Sequence, residues 1–168
     1  MDQTRIATTR LRRFFVAGGA LAADAPSYVV RQADTQLLNA LSEGELCYLL
    51  DTRQVGKTSL LARTALNLRQ AGATVLLLDM SAVCSKDVEA AQWYATLLYQ
   101  SGVETGTTAE CMAFWREHSE ITLTARWFEA IENIILPHVP GMLYLFVDEV
   151  DAVRTLPFSV DQIGRAHV

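Results

Sequence analysis

The chain has 168 residues, of which 51% are apolar and 20% charged, with a net charge of −5 and a pI near 5.1. That size and balance describe one folded domain and exclude a disordered chain. The acidic surplus gives no reason to expect nucleic acid as a partner. No apolar run is long enough to cross a membrane, and Cys47, Cys84 and Cys111 lack metal-ligand spacing; they read as reduced, mostly buried thiols of a cytoplasmic protein.

Residues 1–13 form a basic arm carrying Arg5, Arg10, Arg12 and Arg13, expected to be solvated. The stretch TRLRRFFVAGGALAADA (Thr9 to Ala25) imitates a signal peptide, but Asp24 and two glycines interrupt it. Residues 14–30 are punctuated by Gly, Ala and Pro and read as irregular. Leu37, Leu38 and Leu41 lie at helical spacing and predict a helix over 34–41. LCYLL (Leu46 to Leu50) is a short continuous apolar run between turn residues, the pattern of a strand buried on both faces. A helix follows from Lys57 to about Gln70, with Leu60, Leu61, Ala65 and Leu68 toward the core and Gly72 as its C-terminal cap.

TVLLLD (Thr74 to Asp79) predicts a second buried strand. Helical patterns follow over 88–100, 109–116 and 124–136. The last carries Trp127, Phe128, Ile131, Ile134 and Ile135 on one side and is expected to end at Pro137. MLYLFVDEVD (Met142 to Asp151) predicts a third buried strand with an acidic exit. Strand, helix, strand, helices, strand is the order of an α/β domain in three layers with a parallel sheet. Ile163 to Val168 reads as a sequencing-library adapter translated in one frame, so residues 162–168 are expected to be a non-native tail and native sequence to stop at Asp161.

Two motifs carry chemistry. A phosphate-binding loop reads G-x-x-x-x-G-K-[ST] and needs a strand, a tight turn of inward-pointing amides and a helix whose N-terminus faces the anion. The segment LLDTRQVGKTSLL supplies them in that order, with Asp51 at the first glycine position. Asp tolerates unusual backbone angles better than most residues, so the exchange weakens the match without excluding phosphate. Arg53, Gln54 and Val55 would form the turn, and Gly56 would let the backbone approach phosphate oxygens. Lys57 would reach the β- and γ-phosphates of ATP, Thr58 would take a place on Mg2+, and Ser59 is the neighbouring hydroxyl.

The second motif is Asp148-Glu149 at the exit of an apolar strand, where acids are costly without a task. Asp148 would hold magnesium and Glu149 would orient and polarise the attacking water. Asp151 stands close by. Asp79 ends the middle strand on the same edge of the sheet, where helix capping is its expected work. Trp93, Trp115 and Trp127 are expected to pack rather than bind ligand. No arginine finger stands out in the sequence; Arg53, Arg126 and Arg154 are the candidates. Two rival readings stand beside an ATPase: a kinase for a small molecule, for which no acceptor pocket is recognisable, and a nucleotide-free partner-binding scaffold with a vestigial loop, supported by Asp51.

These residues resemble the bacterial AAA-like P-loop ATPase domain allied to the signal-transduction ATPases with numerous domains. The resemblance runs from Phe14 to Val160, rests on FFVAGGALAADAPSYVVRQAD, RQVGKTSLLARTA, QWYATLL and FVDEVDAVRTLPFS, and assigns residues 14–161 to the N-terminal part of such a domain. It implies a three-layer P-loop NTPase fold that is incomplete here, with later strands and a helical lid missing. It also implies a nucleotide-dependent switch, slow ATP hydrolysis, neighbouring repeat or effector modules in a longer chain, and a nucleotide-dependent oligomer. It places the neighbourhood of Tyr28 and Arg31 on the adenine side of the site. In that fold the loss of the later strands would leave Leu46–Leu50 at an open sheet edge, which invites aggregation.

Overall fold

The computed structural model describes residues 28–50 and 56–159. The chain divides after Ala71 into two units.

The first unit contains two helices. α1 (Gln32–Ser42) begins two residues before the predicted start, because the Arg31 amide donates to the Asp34 carboxylate at 2.9 Å and fixes the first turn. Leu37 is its buried anchor. α2 (Lys57–Gln70) has the predicted bounds and buries Leu60, Ala65 and Leu68 together with Ser59 and Thr64, while Leu61 is only half-buried. Gly72 follows the end of α2 at φ +89, the left-handed position that the C-terminal cap requires.

LCYLL departs from the expectation. No strand is present over Leu46–Leu50 among the described residues, and Leu46, Tyr48 and Leu50 are 81%, 75% and 91% exposed. A strand exists only where a neighbour satisfies its backbone groups. The sheet among the described residues has two strands, neither of which includes this segment. The apolar run records what the side chains favour, not whether a ladder partner is in place.

The second unit is built on that sheet. β1 (Thr74–Asp79) pairs in parallel with β2 (Leu143–Asp148), in register from Thr74 opposite Leu143 to Asp79 opposite Asp148. Between them run a short α3 (Met80–Val83), α4 (Ala90–Thr105), α5 (Thr108–Glu117) and α6 (Leu123–Ala130). The right mixture of strands and helices is present for an α/β fold, but β2 is less enclosed than its sequence predicts: Phe146 is buried, whereas Leu145 and Val147 are exposed.

The core gathers Leu78 and Met80 with Trp93, Leu97 and Leu98 of α4, Cys111 of α5, Trp127 and Ala130 of α6, and Ile135. Trp93 meets Tyr94 and Phe158 edge-on, so Trp93 and Trp127 pack as expected. Each large apolar side chain buried this way contributes about 2 kcal/mol. α4 and α5 meet closely at Gly102, where a Cβ would lie 2.8 Å from the Thr108 Cα, so only glycine fits. Cys111 is buried, Cys47 and Cys84 are half-buried, and none of the three is bridged.

The predicted 124–136 helix runs further than expected and changes pitch. After α6 comes a π turn, Ile131–Ile135, where the Leu136 amide donates to the Ile131 carbonyl, and a last turn, Leu136–His138, that contains Pro137. Proline has no amide to continue the α ladder and its ring crowds the carbonyl four residues back. Widening the turn before it accommodates the ring and lets the helix run on to His138. No helix among the described residues is long and apolar enough to cross a membrane.

Candidate nucleotide site

In the first unit the candidate site starts at Gly56, the N-cap of α2, at φ +85 and ψ 26. An L side chain is disfavoured there, and glycine is what permits the chain to turn into the helix. The Gly56 carbonyl accepts the Leu60 amide at 2.9 Å, the first bond of the helix. Lys57 and Thr58 occupy the first turn, Lys57 half-buried and Thr58 exposed, while Ser59 turns into the interior. Amides and the positive end of the dipole at the start of a 14-residue helix attract an anion. Arg53, Gln54, Val55 and Asp51 lie outside the described residues.

Tyr28 and Arg31 come to this same helix start. The Tyr28 hydroxyl donates to the Asp34 carboxylate at 2.6 Å and accepts from Arg31 Nη2 at 3.3 Å. Arg31 also forms an ion pair with Asp34, 3.9 Å from Nε, and its Nη2 lies 3.5 Å from the Gly56 carbonyl oxygen. The Arg63 guanidinium, from the second turn of α2, stacks over the Tyr28 ring at 4.8 Å. Burial acts to raise the Asp34 carboxyl, but the Tyr28 hydroxyl, the Arg31 amide and the charges of Arg31 and Arg63 outweigh it and hold the group below its usual value. The Tyr28 phenol is pushed up by burial and by its bond to Asp34.

Asp34 and Arg63 were not legible as site residues in the sequence. For Asp34 a signal existed, an acid three residues after the N-cap. For Arg63 none existed, since its contact with Tyr28 is tertiary.

The acidic exit lies in the second unit. Asp79 and Asp148 end their strands at paired positions, so both acids stand at one edge of the sheet, as their sequence positions predict. Asp79 is engaged as the expected N-cap: it accepts from the Ser81 amide at 2.9 Å and the Ser81 hydroxyl at 2.6 Å. The half-buried Asp148 accepts the Glu149 amide at 2.9 Å. Glu149 itself is exposed and sits at φ +52, the one non-glycine residue with positive φ among the described residues. Asp151 and Arg154 are exposed in the short 3-10 turn that follows.

Arg126 is committed elsewhere. It is buried, stacks on Trp115 at 4.5 Å and donates to the carbonyls of Trp115, Ser119 and Ile121, so its guanidinium is engaged within its own chain. Among the described residues no three His, Cys, Asp or Glu side chains converge to hold a metal ion.

The chain is 33% identical over 150 residues to an uncharacterized WD repeat-containing protein of Synechocystis sp.. The alignment covers 88% of this chain and 12% of that relative, so the chain spans about an eighth of the relative's length. No solved structure matches it. The model of the AAA-like domain family matches residues 16–162, and the chain belongs to that family.

Proposed function

We propose that the chain is the ATP-binding part of a nucleotide-dependent switch, allied to the signal-transduction ATPases with numerous domains, within a longer cytoplasmic regulatory protein. The observation that carries this reading is the left-handed Gly56 followed by Lys57 and Thr58 in the first turn of α2. That is the arrangement of a phosphate loop meeting its helix. Family membership supports a nucleotide-binding module, and the much longer WD repeat-containing relative supports further domains in the same chain.

In this reading Arg53 to Gly56 cradle phosphate with their amides, Lys57 places a charge on the β- and γ-phosphates, and Tyr28 and Arg31 lie on the adenine side. Thr58 and Asp148 would hold Mg2+. A hydroxyl and a carboxylate are hard oxygen donors suited to that ion, which takes its remaining ligands from water and phosphate. Magnesium would neutralise charge on the phosphates. Glu149 orients and polarises the attacking water for slow hydrolysis. The test is ATP titration of wild type and Lys57→Ala. Loss of binding in the variant is expected, and unchanged affinity would remove the assignment.

One observation favours a second reading. Leu46–Leu50, the segment that should deliver the loop, lies outside the sheet with its large side chains exposed. A partner-binding scaffold with a vestigial loop would tolerate that arrangement. Failure of the full-length protein to bind any nucleotide, with magnesium present, would decide for the scaffold.

A further inference from the structure

We infer that Arg63 is a positioning residue for the base side of the proposed nucleotide site, acting through the Tyr28 ring that its guanidinium covers. The inference rests on the nucleotide reading above, which puts Tyr28 and Arg31 beside adenine. Its geometry lies wholly within the first unit.

Tyr28 lies ahead of α1, outside any regular element, and is half-buried. Side chains hold its phenol at three points. The hydroxyl donates to the Asp34 carboxylate at 2.6 Å and accepts from Arg31 Nη2 at 3.3 Å, and the Arg63 guanidinium lies over the ring, 4.8 Å from its centroid. The first two contacts fix only the hydroxyl end. A ring pinned there can still turn about its long axis, a torsion with a broad minimum. Arg63 acts on the ring face itself. Arg31 is the more distant cation, 5.8 Å from the same centroid and near the limit of such attraction.

The helix explains why Arg63 arrives there. Arg63 follows Gly56 by seven positions, close to two full turns, so it lies on the face of α2 that starts at the candidate site. Helical side chains lean toward the N-terminus, which brings the half-buried Arg63 back toward the helix start. A second attraction keeps it there, since its charge is among those that hold the Asp34 carboxyl below its usual value. One guanidinium from α2 thus faces both a π surface and an anion contributed by α1 and the residues before it. A ring already held in place loses less freedom when a base packs beside it, so the gain falls on the base and not on the phosphates.

The experiment measures, in the full-length protein with magnesium, affinity for ATP and for inorganic tripolyphosphate. Arg63→Met keeps the length of the side chain and removes the cation. It should weaken ATP about fourfold and leave tripolyphosphate unchanged. Arg63→Lys keeps a cation over the ring and should stay within about twofold of wild type for ATP. In a Tyr28→Leu background Arg63→Met should have no further effect, because the ring it acts through is gone. Arg63→Gln takes the place of Arg63→Met where that variant fails to fold.

Unchanged ATP affinity in Arg63→Met would overturn the inference. So would an equal loss for tripolyphosphate, which would put Arg63 on the phosphate side, or a loss that persists in the Tyr28→Leu background. Wild type that binds tripolyphosphate as tightly as ATP would overturn it while sparing the phosphate site. Wild type that binds neither probe would remove the nucleotide reading and the inference with it.

Discussion

Asp148 and Glu149 are locked together at the end of β2: the Asp148 carboxylate accepts the Glu149 amide at 2.9 Å while Glu149 sits at φ +52. Holding an L residue in the left-handed region costs about 1 kcal/mol. Glycine would relieve most of that while losing more entropy on folding. Glu149→Gly should therefore leave stability unchanged or raise it by up to about 1 kcal/mol. It should also abolish hydrolysis, because the carboxylate is gone. Glu149→Gln should keep ATP binding and slow turnover by about a hundredfold or more. Urea unfolding and phosphate release measure the two effects. Full turnover in Glu149→Gln would take the residue out of the water-activating role.

Asp79 shares the sheet edge with Asp148 but does different work. Its carboxylate caps α3 through the amide and hydroxyl of Ser81. Asp79→Ala should destabilise the protein by about 1 kcal/mol. Nucleotide affinity should stay as in wild type. A loss of magnesium-dependent binding without a change in stability would move Asp79 into the metal site.

Asp34 makes stability depend on pH in a stated direction. Its folded pKa is depressed, chiefly against the opposing effect of burial, by the Tyr28 hydroxyl, the Arg31 amide and two guanidiniums. A carboxyl with a depressed folded pKa contributes stability above its unfolded value and loses it as pH falls through the lower folded value. Melting of wild type and Asp34→Asn should differ most near neutrality, and the gap should close on the acid side of the usual carboxylate range. A gap independent of pH would show that the Asp34 charge is not what the cluster uses.

The bounds of α2 and β1 were legible because an apolar period, a glycine at the end and an acid at the exit agree with each other. The place of Gly56, Lys57 and Thr58 at a helix start was legible for the same reason. LCYLL misled because an apolar run fixes burial preference, while a strand also needs a neighbour's backbone. The π turn at Ile131–Ile135 was hidden because side-chain spacing hardly changes when one turn widens. Its cause, Pro137, was visible, but proline was read only as a stop. The engagement of Tyr28 by Asp34 and Arg63 depends on how α1 meets α2, which no local pattern encodes.

Arg126 carries the last prediction. Its guanidinium donates to Trp115, Ser119 and Ile121, three carbonyls at and beyond the end of α5, so one side chain closes the turn into α6. Its stacking on Trp115 at 4.5 Å fixes the plane in which those bonds are made. Arg126→Ala would remove the donor from three part-buried hydrogen bonds and expose the Trp115 face, and should destabilise the protein by about 3 kcal/mol. Arg126→Lys should recover less than half of that, because an ammonium cannot reach three divergent acceptors. Denaturant unfolding checks the size, and ATP turnover at a temperature where both variants remain folded checks the role. Turnover should match wild type. A selective loss of turnover with stability intact would restore Arg126 as an arginine finger and would require it to leave these carbonyls when nucleotide binds.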